Sequence, residues 1–256
     1  MKKNILIIFT VCLLVSLIYL LIRNFYSGTE PEKSFETSFA KGAQERKLTF
    51  DGQELSYNII KVEKPEDLIL IDNLKLKNTA KKAYSDNSCS VLVSGSFYTK
   101  EGSFIGLFIS GGKKLSNYTG NSTFNGVLSV NDFSVPRITR QVPKDRLTTA
   151  VQSGPILIEN GKVLPVKFVN DKNARRVVGA VDGSNTLYFL AIYKASQLFD
   201  GPAISNLPAV VSEIGKDNNV VWADAINLDG GTASAYVSKD SVLTELSSVG
   251  SFFCLR

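Results

Sequence analysis

From about Lys47 onward the apolar residues come in short runs rich in Val, Ile, Phe and Tyr, cut by turn-forming pairs. Branched and aromatic side chains suit a pleated, half-buried surface, and runs this short predict strands rather than helices. Runs 47–50 and 55–62 flank Asp51-Gly52, run 155–164 encloses Asn160-Gly161, and runs 177–181 and 187–193 flank Asp182-Gly183. Such pairs tolerate the positive φ of a tight hairpin. Further strands are expected at 89–97, 103–110, 126–130, 220–228, 235–237 and 251–255. Helical patterns are fewer: 74–84, and 207–215, where Pro208 suits a first turn and Gly215 a stop. The expectation is one sheet-dominated α+β domain over residues 47–256, a normal single-domain size.

Ahead of it, residues 4–22 form 19 positions without a charge, behind Lys2 and Lys3. That length spans a bilayer as a helix. It exceeds a usual signal-peptide core, and no small-x-small cleavage site follows. Residues 1–26 are therefore read as a transmembrane anchor or signal segment, and 27–46 as a polar linker. The remainder is expected outside the cytoplasm, periplasmic or extracellular. Cys89 and Cys254 then lie where a disulfide persists; they either bridge or sit as buried thiols in neighbouring strands.

Charge and histidine content remove whole classes of function. Lys and Arg number 29 against 24 Asp and Glu, a net +5. Setting aside Lys2, Lys3 and Arg23 around the apolar segment leaves 26 against 24, which argues against a nucleic-acid partner. With no histidine, the chain has no Ser-His-Asp or Cys-His pair and no histidine general base. Chemistry falls to carboxyl groups, Lys, Arg, Tyr, hydroxyls and backbone amides. No metal or other cofactor is expected; calcium on oxygen ligands is conceivable, but no EF-hand spacing supports it.

Asp229 ends an apolar strand and precedes Gly230 and Gly231, which let a ligand approach the backbone, with Thr232 and Ser234 close behind. The same residues also read as a plain turn in which Asp229 bonds its own backbone. Arg175 offers a planar fork matched to phosphate oxygens, or is simply a basic residue at a strand start. Alternation sends Arg175 and Arg176 to opposite faces of a strand. Gln152-Ser153-Gly154 and Ser94-Gly95 sit at strand ends where backbone and hydroxyl groups reach a ligand, or where the strand only kinks.

Four segments in order, VLVSGSFY (91–98) with GLFISGGK (106–113), QSGPILIENGK (152–162), ARRVVGAVD (174–182) and AINLDGGTAS (225–234), resemble the phosphodiester glycosidase family across about 48–255. The resemblance implies hydrolysis of a sugar-1-phosphate diester. It puts Asp229 near the anomeric carbon or its attacking water, and Arg175 on the phosphate. Ser94, Gly95, Gln152, Ser153, Gly154, Gly230, Gly231, Thr232 and Ser234 become substrate-binding residues, with a sugar phosphodiester or surface polysaccharide as partner. Departures are specific: the family's Asn-Gly-x-Phe-Phe is Ser94-Gly95-Ser96-Phe97-Tyr98 here, and its Arg-Thr is Arg175-Arg176. These keep a second reading open, a non-catalytic sugar-phosphate or polysaccharide-binding module of the same fold.

Overall fold

Asp51 and Gly52 take φ of 47° and 71° and turn β1 (Arg46–Phe50) back onto β2 (Gln53–Lys61), as the Asp-Gly pair predicts. The computed structural model describes residues 46–168 and 171–256; the expected membrane segment 4–22 and the linker up to residue 45 lie outside them. Among the described residues, no helix is long and apolar enough to cross a membrane.

Three antiparallel sheets make up the domain. The largest runs β1, β2, β13 (Leu187–Tyr193), β12 (Arg176–Asp182), β14 (Trp222–Asn227), β10 (Ile156–Glu159) and β11 (Lys162–Val163). A second runs β16 (Val242–Leu243), β15 (Tyr236–Ser238), β4 (Val91–Ser94), β17 (Ser251–Leu255) and β3 (Leu68–Asp72). The third runs β6 (Lys113–Ser116), β5 (Phe108–Ser110), β9 (Leu147–Ser153), β7 (Gly126–Asn131) and β8 (Pro136–Thr139). Their inner faces share one core, in which Leu70, Val93, Phe108, Val151, Phe189 and Phe253 pack together. Each such side chain contributes roughly 1.5–3 kcal/mol on burial.

Among the described residues, two short α-helices cover outer faces. Helix α1 (Ala80–Asp86) is capped by Thr79, whose Oγ1 accepts the Lys82 N–H at 3.3 Å. It begins six residues later than expected because Asn73 organises the preceding segment. The Asn73 amide donates to the Asn78 and Val249 carbonyls, and its oxygen accepts the Asn78 N–H. Helix α2 (Leu207–Asp217) packs Val210, Val211 and Ile214 against Leu157, Val178 and Leu190 of the large sheet. Gly215 does not stop it, as expected, but lies inside it. A Cβ there would stand 2.4 Å from the Trp222 indole nitrogen, which donates to the Val211 carbonyl at 2.8 Å. Cys89 and Cys254 form a disulfide between the approach to β4 and β17.

Candidate active site

The segments singled out in the sequence meet through backbone hydrogen bonds at the ends of β4, β9 and β14 and the start of β12. The Asp229 N–H donates to the Gly95 carbonyl at 3.0 Å, and Ser94 Oγ donates to the Asp229 carbonyl at 2.7 Å. Ser153 Oγ and the Gly154 N–H both donate to the Asn227 carbonyl, at 2.7 and 3.1 Å. The Gly231 N–H reaches the Arg175 carbonyl at 2.8 Å. Such close approach needs glycine. A Cβ on Gly230 would lie 2.8 Å from the Arg175 carbonyl oxygen, and one on Gly154 2.3 Å from that of Thr123.

Asp229 is 6% exposed. Burial pushes its carboxyl well above the usual carboxylate range, and the backbone N–H of Gly230 only partly opposes this. Burial thus favours the protonated form, the form able to donate a proton. The Tyr98 phenol is also raised, first by its own burial and then by the charge of Asp229.

Several residues expected to meet substrate instead brace the site from beneath. Gln152 is fully buried with all four hydrogen-bonding positions used. Its Oε1 accepts the Leu107 and Thr119 N–H groups at 3.1 and 3.0 Å, and its Nε2 donates to the Thr119 and Phe124 carbonyls at 2.5 and 2.8 Å. Ser94 and Ser153 spend their hydroxyls on the carbonyls named above. Ser234 donates to the Gly231 carbonyl at 2.6 Å and accepts Arg175 Nε at 2.7 Å. Thr232 is exposed, and its Oγ1 accepts the Ser247 hydroxyl at 3.0 Å. The physical reason is common to the buried four: a polar group left unpaired at a buried strand end costs about 1–3 kcal/mol, so the neighbouring backbone claims it.

Arg175 is likewise no open fork. It is 1% exposed; Nε and Nη2 donate to Ser234, Nη2 donates also to the Thr244 carbonyl at 2.7 Å, and the guanidinium lies 4.5 Å over the Phe199 ring. Burial lowers its pKa to about 10, against the opposing charges of Glu245 and Tyr193. Only Nη1 lacks a hydrogen-bond partner among the described residues. Arg176 takes the opposite side, as strand alternation requires, donating to the Pro202 and Lys172 carbonyls at 3.0 and 2.6 Å.

That opposite side holds a cleft of about 280 Å³. Phe97 and Phe124, with ring centres 4.8 Å apart, line it together with Phe168 and Pro155. Arg176, Lys172, Asp171 and Asn227 supply its polar groups. Asn227 is 4% exposed, and its Oδ1 has no partner among the described residues although it lines the cleft. Asp229, two residues further on, does not itself line the cleft, and the Gly230 beside it lies against the Arg175 carbonyl. Burial works to raise the Asp171 carboxyl. Hydrogen bonds from Ser205 and Ile204 and the Arg176 charge outweigh it and hold Asp171 below the ordinary carboxylate value. Sequence reasoning singled out none of Asn227, Asp171, Lys172 or Phe168. The available signal was Asn227, an amide closing a buried strand on the same parity as Asp229. Among the described residues, no three His, Cys, Asp or Glu side chains are grouped as a metal site would need.

The cleft thus brings together aromatic walls, two cations, a carboxyl held low and an unpartnered amide oxygen, with the buried carboxyl of Asp229 two residues beyond Asn227. The chain belongs to the phosphodiester glycosidase family, whose model matches residues 87–251 and so includes all four motif segments. No curated protein sequence matches it. Among solved structures it is similar to the catalytic domain of zebrafish N-acetylglucosamine-1-phosphodiester alpha-N-acetylglucosaminidase, auto-inhibited by pro-peptide. The TM-score is 0.65 at 15% identity over 83% of this chain and 81% of that one. A hypothetical protein from Synechocystis follows at 0.56 and 12%, covering 83% of this chain and 61% of that one. A Burkholderia pseudomallei protein described as exported gives 0.52 and 10%, covering 79% and 73%. At these identities the structural likeness establishes the fold alone.

Proposed function

We propose that this protein is an exported, membrane-tethered phosphodiester glycosidase that hydrolyses a sugar-1-phosphate diester. The observation that carries the reading is the buried carboxyl of Asp229 two residues beyond Asn227, which lines the cleft together with Arg176 and Lys172. The sugar lies against the Phe97–Phe124 wall with a hydroxyl donating to Asn227 Oδ1, and the phosphate lies on Arg176 and Lys172. The anomeric C–O bond breaks with its electron pair passing to phosphate oxygen. Asp229, held protonated by burial, gives its proton to that oxygen. Asp171, ionised on the cleft wall, stabilises the positive charge growing on the ring. Water then bonds to the anomeric carbon and returns a proton to Asp229, so the products are a reducing sugar and a phosphate monoester. In this reading Arg175 holds the Gly231–Thr244 region in place, and the phosphate role expected of it falls to Arg176.

Tethering rests on residues 4–22, and the Cys89–Cys254 disulfide favours a domain outside the reducing cytoplasm. The test is release of free reducing sugar from synthetic sugar-1-phosphate methyl diesters by the full-length chain, with Asp229→Ala alongside. Release by the parent and its loss in the variant is the expected result; equal release by both overturns the mechanism. Asp229 lying outside the cleft lining favours the second reading, a binding module, which tight binding without release would establish.

A further inference from the structure

The cleft beside Asn227 is one end of a longer depression. Thr123, Pro155 and Phe168 line both it and a second cleft of about 580 Å³, and Arg140 lines both the second and a third of about 440 Å³. The segment from Pro155 through β10 to Asn160 borders all three: Pro155 lines the first two, Ile156 the second, and Glu159 and Asn160 the third. Those five residue steps cover about 16 Å at about 3.3 Å each, far more than one sugar ring needs. Five basic residues line the three clefts (Arg137, Arg140, Lys167, Lys172 and Arg176) against three acidic ones, Glu159, Asp171 and Asp224. Arg137 pairs with Asp145 at 3.0 Å, Arg176 with Asp171 at 3.9 Å, and Arg140, at the junction, is bidentate on Glu159 at 2.7 and 2.9 Å, whereas Lys167 and Lys172 pair with no carboxylate among the described residues. Burial raises the Asp224 carboxyl, which the Asn160 N–H opposes and the Glu159 charge reinforces.

We infer that the groove along β10 binds several consecutive units of an anionic, phosphodiester-linked glycan, with Arg140 and Lys167 as phosphate contacts beyond the cleft where cleavage takes place. Charge excess and length favour a polyanionic chain, and the grooved, partly aromatic lining favours sugar rings over an unadorned polyanion. This inference rests on the Asn227 cleft being the sugar-phosphate site.

The test uses the full-length chain with a ladder of synthetic glycosyl phosphodiesters of one to six repeats. The expected result is a kcat/KM rising about tenfold or more across the first few repeats, a gain that Arg140→Ala and Lys167→Ala each reduce while the single-repeat substrate is turned over as before. A kcat/KM independent of length, or variants that lower short and long substrates equally, overturns the groove and spares the proposed activity. If no diester is cleaved, the activity falls, and titration calorimetry with the six-repeat compound decides the groove separately. Binding weakened by Arg140→Ala upholds it, whereas binding unaffected by either variant, or no binding, overturns it.

Discussion

In the proposed mechanism, burial of Asp229 sets stability against activity. Its folded-state pKa lies above the unfolded value of about 3.9. Between the two, the folded protein keeps a proton that the unfolded chain has released. Stability is therefore complete below the unfolded value and is lost as pH rises toward the folded one. Asp229→Asn removes the titration while keeping the shape. Its expected melting temperature exceeds the parent's at pH 7, by a margin that narrows toward pH 4, while turnover falls about 100-fold or more. Thermal unfolding at both pH values, beside an activity assay, checks this; a margin independent of pH would remove the burial argument. Arg175 and Lys172 separate in the same way. Arg175→Lys breaks a buried hydrogen-bond set and should lower stability by about 3 kcal/mol in urea unfolding. Lys172→Ala, on the exposed rim, should leave stability within about 0.5 kcal/mol and raise KM several-fold.

At the scale of the element, the site depends on the entry to β10. A Cβ on Gly154 would press into the 123–125 backbone, and Gln152 holds the 119–124 segment that carries Phe124 into the cleft. Gly154→Ala should therefore displace that wall, costing about 2 kcal/mol or more and raising KM; denaturant unfolding and steady-state kinetics read the two effects. The hairpins were legible in the sequence because Asp51-Gly52 and Asn160-Gly161 encode positive φ locally, as observed at all four positions. β9 was not, since LTTAVQS lacks an apolar run. Its Thr149, Gln152 and Ser153 are buried only because hydrogen-bond partners from elsewhere in the fold satisfy them. The same cause hid the division of labour in the site. The motifs carried the convergence on Asp229, but whether a serine or glutamine faces ligand or backbone depends on loops distant in sequence. Arg175 and Arg176 show this most plainly. Alternation separates them, yet only the packing of Ser234, Thr244 and Phe199 decides which one is buried.

For the whole molecule, the disulfide joins positions 165 residues apart, and closing so long a loop restricts the unfolded chain strongly. Reduction, or Cys254→Ala, should lower unfolding free energy by about 4 kcal/mol, measured by chemical denaturation with and without reductant. An unchanged midpoint would show that the sheets alone hold the fold. The disulfide's second cysteine lies on β17, and this strand is not at an edge. It is inserted between β3 and β4, both laid down more than 150 residues earlier, and its Ser251 carbonyl accepts the Gly95 N–H beside the site. While residues 251–255 are still missing from a growing chain, the second sheet has a gap at its middle rather than a frayed margin. The proposed centre is therefore complete only once residues 251–255 have reached their slot between two strands formed from far earlier in the chain.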